Sequence, residues 1–288
     1  MRYHAVKLKR QPALLLLFIP VLVLSLLPLL RRGRAAAAMT GAVRVPVLMY
    51  HSVLDDGSRA GDYTVTTEVF REDMLWLREH GYTAVFVSEL VDFADNGKPL
   101  PQNPVVVTLD DGYLNNLTCV LPVLEELDMK AVISVIGRYS AEFSETHDRS
   151  PSYAHLTWED LCVLAQSGRV EIANHSYDMH ELSPRRGCMK KRGESTEEYS
   201  ALLKDDLSLL QKLLLENCGV TPLTFAYPYG RISEEALPVI KALGFRAALT
   251  CDNRVNRLTG DPEELYSLGR FNRPSGIATE KFMERITE

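Results

Sequence analysis

Apolar positions along residues 43–288 fall into two alternating textures, short continuous runs and longer stretches with 3- and 4-residue spacing. Val45–Tyr50, Pro104–Leu109 and Ala131–Ile136 are compact β-branched runs of the kind that form fully buried strands. Tyr82–Val87, Val170–Ile172, Leu223–Ala226 and Phe245–Leu249 complete a set of about seven. Between them lie helical patterns: Glu68–Glu79, with Phe70, Met74 and Leu77 on one face, then Tyr113–Leu127, His155–Ser167, Thr196–Asn217 and Ser233–Leu243. Ser88 is placed to cap a short helix after the second strand. Asp55–Asp62, Tyr139–Ser152 and Ser183–Glu197 show no period and are expected as polar surface loops. Strands separated by single helices imply a parallel α/β sheet, and about seven such units in one domain favour a distorted (β/α) barrel. In that architecture chemistry gathers where strands end and loops begin.

The first 34 residues change the picture. They carry seven basic residues (Arg2, Lys7, Lys9, Arg10, Arg31, Arg32, Arg34) and no acidic one. Without them the formal charge of −6 becomes −13, so the body is acidic and nucleic acid is not expected as a partner. Ala13–Leu30 is uncharged over eighteen residues, about the minimum for crossing a bilayer core of roughly 30 Å. The expected organisation is a cytoplasmic basic segment (1–12), a transmembrane anchor or signal sequence (13–30), a linker (31–42) and a catalytic domain (43–288). Arg31 and Arg32 directly after the apolar run favour an uncleaved anchor, while Ala35–Ala38 could serve cleavage. Either outcome puts the folded body outside the cytoplasm, at the cell membrane or secreted. Five cysteines with no metal-ligand spacing give no pairing; Cys162 reads as a plain core residue and no essential disulfide is expected.

Four strand ends carry candidate chemistry. VVVTLDDGY sets Asp110 and Asp111 side by side after a strand, where a turn needs only one carboxylate. Two buried carboxylates repel, and a cation on one leaves the other free as a base. EIANHSYDMH places His175 and His180 five residues apart, able to converge if Ser176 and Asp178 turn the chain; two imidazoles and a carboxylate are a ligand set for catalytic zinc. VLMYHSV puts His51 just past the first strand. FAYPYG follows another strand, and its Pro228–Tyr229–Gly230 turn can aim a backbone N–H at an oxyanion. Tyr113, Trp158, Tyr177 and Tyr227 are aromatics near strand ends that could face sugar rings or simply pack.

TLDDG, HSYDMH and AYPYG, in that order, resemble the first three motifs of the polysaccharide deacetylases, the NodB-homology domain or carbohydrate esterase family 4, over about residues 43–275. VPVLMYHSV is similar to the subgroup containing poly-N-acetylglucosamine deacetylases, in which the late catalytic histidine moves to the N-terminal end of the domain; this chain has no histidine after His180. The resemblance implies Asp110 as general base, Asp111, His175 and His180 as ligands of one divalent ion (Zn²⁺, with Co²⁺, Ni²⁺ or Fe²⁺ as alternatives), Tyr229 as oxyanion N–H donor and His51 as general acid. Tyr227, Pro228 and Arg270 are expected at the substrate. Two positions depart from the family pattern: Leu109 replaces an aromatic residue, and Ala226 stands where many members carry an arginine that pairs with the base, a role Arg270 could take over. The implied activity is removal of N-acetyl or O-acetyl groups from a cell-wall or extracellular polysaccharide, most readily an N-acetylglucosamine polymer, by a monomer held at the membrane. A silent glycan-binding module of the same fold and a structural membrane protein are the competing readings.

Overall fold

The computed structural model describes residues 41–287; the expected basic segment, membrane span and most of the linker lie outside them. Among the described residues no helix is long and apolar enough to cross a membrane. Twelve strands occur among the described residues: β1 Val43–Val45, β2 Val47–Tyr50, β3 Ser52–Leu54, β4 Thr64–Thr66, β5 Thr83–Ala84, β6 Pro104–Leu109, β7 Ala131–Val135, β8 Val170–Asn174, β9 Thr224–Ala226, β10 Ala247–Leu249, β11 Asn256–Leu258 and β12 Phe271–Asn272. Seven form a curled parallel sheet in the order β10-β9-β8-β7-β6-β2-β12, with β5 beside the start of β6.

Every residue of β6 and β7 is buried, which is why both read as unbroken apolar runs. Alternate side chains divide between two cores. Leu48, Val107 and Ile133 meet the surrounding helices, whereas Val47, Val106, Val132, Ala173, Ala226 and Ala247, from six strands, converge on one interior cluster with Val87 and Leu90 of the helix Val87–Asn96. Convergence of six strands on one side is the curl itself. One segment runs across from β10 to β2: Leu268 N–H donates to Ala248 O (2.9 Å), Leu268 O accepts from Thr250 N–H (2.8 Å), and three residues later Phe271 pairs with Leu48. That closing segment carries Arg270.

Several sequence expectations are corrected. The second strand shrinks to Thr83–Ala84 because the next helix begins at Val87; Phe86, not Ser88, is its N-cap, with the Phe86 N–H held by Glu89 Oε2 at 2.8 Å. The Tyr113–Leu127 helix starts late, with a π turn at Asn116–Val120 before Leu121–Leu127. Tyr113 and Leu114 are instead taken by backbone pairing with Ala154 and His155, and this also delays the next helix to Trp158–Gln166. The first part of the supposed loop Tyr139–Ser152 belongs to the helix Gly137–Thr146, whose buried face of Gly137, Ser140 and Phe143 has too few apolar side chains to show a period. Cys162 is no core residue: it is half-buried and forms a disulfide with Cys218 of the long helix Thr196–Cys218.

Candidate functional site

Parallel strands put their carboxyl ends on one rim, and every chemically suggestive motif sits there. Asp110 and Asp111 follow β6, His175 follows β8, Tyr229 lies in the turn after β9, and His51 follows β2. They line one cavity of about 540 Å³, together with Tyr63, Tyr113, His180, Arg186 and Cys251. A larger groove of about 780 Å³, beside His147 and Trp158, contains none of them.

Asp111, His175 and His180 present donor atoms all within 4.8 Å of one another. His175 Nε2 and His180 Nε2 stand 3.6 and 3.4 Å from Asp111 Oδ1. A tetrahedral ion at roughly 2.0–2.2 Å from its ligands separates them by roughly 3.3–3.6 Å, so these spacings fit a zinc-sized cation. Two further features agree. Asp111 Oδ1 is buried without a hydrogen-bond partner, and burial, opposed by the charge of His51 and reinforced by that of Asp110, raises its carboxyl to about 6. A carboxylate so placed is short of positive charge. His175 Nδ1 lies 2.7 Å from the Ala226 carbonyl, which fixes the proton on Nδ1 and leaves Nε2 as a lone pair directed at Asp111. Burial lowers the His175 pKa to about 3, so the ring is neutral and ready to ligate.

The backbone at Asp111 is left-handed, φ 71°, a costly conformation for a non-glycine residue. His155 holds it there, its Nδ1 2.9 Å from the Asp111 carbonyl oxygen. The His155 ring is stacked between Tyr113 and Tyr139, with centroids 4.7 and 4.4 Å away. This residue was hidden in the sequence because it opens an apparently helical stretch; only its pairing with Tyr113 reveals it.

Asp110 is held differently. Arg270 Nη1 and Nη2 donate to its two oxygens at 2.8 Å each, and the other three donors of the fully buried guanidinium reach Thr250 O (2.9 Å), Thr108 Oγ1 (3.2 Å) and Cys251 Sγ (3.9 Å). Burial works against the Asp110 charge, but the Arg270 guanidinium, through its charge and its two hydrogen bonds, outweighs it and keeps the carboxyl well below the usual range. Ala226 offers no guanidinium, and the closing segment of the sheet supplies one through Arg270.

His51 has its backbone carbonyl anchored by Asn116 Nδ2 (3.0 Å), its ring edge-on to Tyr63 (4.8 Å) and its Nδ1 buried without a partner. Tyr229 is left-handed, φ 59°, at the centre of its turn. Gly230 is required beside it, since a Cβ there would stand 2.5 Å from the Cys251 Cβ. The Tyr229 hydroxyl donates to His180 O at 3.1 Å. Two expected substrate contacts are displaced: Tyr227 points into the core against Phe225 (4.8 Å), and Pro228 is buried beneath Gly187, so neither lines the cavity. Arg270, also expected at substrate, acts on Asp110 from below. Of the four candidate aromatics only Tyr113 reaches the cavity, whereas the exposed Tyr63 and Leu182 at its mouth carried no sequence signal.

Comparison with known proteins comes to the same place. Residues 97–248 match the family described as polysaccharide deacetylase. The poly-beta-1,6-N-acetyl-D-glucosamine N-deacetylase of Escherichia coli (strain K12) is 28% identical over 260 residues, covering 83% of this chain and 38% of its own length. The enzyme of the same name from Staphylococcus aureus (strain MRSA252) is 25% identical over 193 residues, covering 67% of this chain and 63% of its own. The chain therefore spans less than two thirds of either relative. Among solved structures, a de-N-acetylase from Aggregatibacter actinomycetemcomitans superposes with a TM-score of 0.72 over 84% of this chain and 100% of that one, at 24% identity. IcaB from Ammonifex degensii gives 0.69 over 86% and 97%, also at 24% identity. Both show the fold.

Proposed function

Because the chain belongs to the polysaccharide deacetylase family, we propose that it hydrolyses the N-acetyl groups, or O-acetyl groups, of an extracellular N-acetylglucosamine polymer at the Asp110–Asp111–His175–His180 site. The observation that carries this reading is the facing of three ligand atoms within 4.8 Å beside a second carboxylate clamped by a buried arginine. A divalent ion held by Asp111, His175 and His180, zinc first by ligand type, would supply Lewis acidity toward water and the acetyl carbonyl.

The rest of the chemistry falls to the chain's own side chains. Asp110, kept ionised by Arg270, accepts the proton of the attacking water. A carboxylate held so low is a weak base, so it suits a water whose acidity has already been raised. The Tyr229 N–H, in its left-handed turn, is offered to the developing oxyanion. His51 protonates the departing amine, and no covalent intermediate is needed. The curated relatives named as acting on poly-beta-1,6-N-acetyl-D-glucosamine support that polymer as substrate. The basic cluster before Ala13–Leu30 (Arg2, Lys7, Lys9 and Arg10) supports a membrane anchor with the catalytic domain outside the cytoplasm.

The full chain with Zn²⁺ should release acetate from purified poly-β-1,6-N-acetylglucosamine faster than from chitin oligomers or acetylated xylan. No acetate from any of the three would remove the hydrolase reading and leave a silent glycan-binding module. The acid role is tested by leaving group. A general acid is worth about 10²–10⁴ in rate, so His51→Ala should slow N-acetyl hydrolysis by at least about 100-fold. An aryl acetate, whose phenolate leaves without a proton, should lose much less. Equal losses on both substrates would assign the proton to another group.

A further inference from the structure

His175 and His180 are five residues apart, a spacing that shares no helix face, so the turn between them must be forced into the shape that brings their Nε2 atoms together. The turn is strained, with Ser176 at φ 73°. Its own residues hold only part of it: Ser176 N–H donates to Asn174 Oδ1 (2.8 Å) and Met179 N–H to Ser176 Oγ (3.0 Å). The two central amides, Tyr177 and Asp178, both donate to one carboxylate, that of Asp206, at 2.8 Å each. Asp206 comes from the helix Thr196–Cys218, and its neighbour Leu207 accepts a hydrogen bond from Asn174 Nδ2 (3.1 Å).

The opposite side of the turn is braced as well. Gly137 and Arg138 N–H donate to the carbonyls of Ser176 (3.1 Å) and Tyr177 (2.8 Å). The approach is so close that a Cβ on Gly137 would stand 2.6 Å from Tyr177 Cδ2. Asp206 is therefore the anchor opposing that pressure. Its chemistry is unusual for a merely structural carboxylate. Among the described residues no cation lies within 4.0 Å of it, and it is half-buried, answered by the two turn amides. Burial pushes its carboxyl up to about 6 despite those hydrogen bonds. Even half-buried, a carboxylate without a counter-ion is costly, and a neutral helix residue would stabilise the helix as well.

We propose that Asp206 is a positioning residue for the metal centre, clamping the Tyr177 and Asp178 amides so that the His175–His180 turn holds both imidazoles in the ligating arrangement. The proposal rests on the metal-binding reading of the site. It is tested on the full chain by Zn²⁺ affinity, measured by competition with a chromophoric chelator, and by the visible spectrum of the Co²⁺-loaded protein.

Loss of a residue that orients a ligand typically costs about 10–100-fold in metal affinity, and that rise in the Zn²⁺ Kd is expected for Asp206→Ala, with a changed Co²⁺ spectrum. Asp206→Asn keeps one acceptor oxygen and should fall between. An unchanged Zn²⁺ Kd and Co²⁺ spectrum, whatever happens to the melting temperature of the metal-free protein, would make Asp206 a structural anchor only and overturn the proposal. Should Asp206→Ala fail to fold, Asp206→Asn decides on the same two measurements. Failure of the unaltered chain to bind Zn²⁺ would overturn the metal reading itself and the clamp with it, whereas normal binding by both the unaltered chain and the variants sinks the clamp alone.

Discussion

Asp110→Asn is expected to lower the rate of acetate release by about 10²–10⁴, the contribution of a general base, while leaving Zn²⁺ affinity close to that of the unaltered chain. The amide keeps the shape of the carboxylate and one acceptor oxygen, but it cannot take a proton from water. The same change has a second consequence, because Arg270 is fully buried and Asp110 is its ion-pair partner. Breaking a buried pair from one side costs about 3–5 kcal/mol, and the oxygen retained by asparagine should hold the loss toward the lower end. A fall in melting temperature is therefore expected alongside the fall in rate. Asp110→Asn combined with Arg270→Met separates the two, since removing the stranded charge should recover stability but none of the activity. Activity returning with stability would mean that Asp110 matters only as the partner of Arg270.

That pair also marks where sequence reading stops. β2, β6 and β7 were legible because strands buried on both faces need apolar side chains at every position, and Asp110, Asp111 and His175 stood out as polar groups directly at strand ends. The Asp110–Arg270 pair joins residues 160 apart, and no local pattern announces which arginine reaches the base. The absence of an arginine at Ala226 pointed to Arg270 as a candidate replacement, and the structure places it on Asp110. Asp206 is less visible still: in an amphipathic helix of 23 residues one more acidic side chain looks like solvated surface. Tyr227 and Tyr229, two residues apart in one motif, show the opposite failure. The first continues the direction of β9 into the core, and the second is itself the left-handed residue of the turn and faces the cavity. Local composition identified the rim; tertiary packing decided which rim side chains turn inward.

The companion large loss is expected from His175→Ala, and it should differ in kind. The ring's Nε2 is the ligand atom, and the hydrogen bond from Nδ1 to the Ala226 carbonyl is what aims it. Alanine deletes the ligand and leaves a buried carbonyl without its donor, a cost of about 1–3 kcal/mol in stability. Disturbing only the outer partner of a ligand costs about 10–100-fold in metal affinity. Removing the ligand itself should therefore raise the Zn²⁺ Kd by at least about 100-fold, with Asp111 and His180 left to hold the ion. Acetate release should vanish at trace metal and return in part at high Zn²⁺, whereas Asp110→Asn should bind Zn²⁺ normally and gain nothing from more of it. In the unaltered chain a chelator should abolish activity and added Zn²⁺ or Co²⁺ restore it. The two variants thus cross over, one losing affinity and the other losing turnover at full occupancy. Chelator competition and acetate release measured side by side read both axes. If His175→Ala held Zn²⁺ within a few-fold of the unaltered chain, the cation would have to sit elsewhere, and Asp111 Oδ1 would be left buried beside two imidazoles with no physical account of its position.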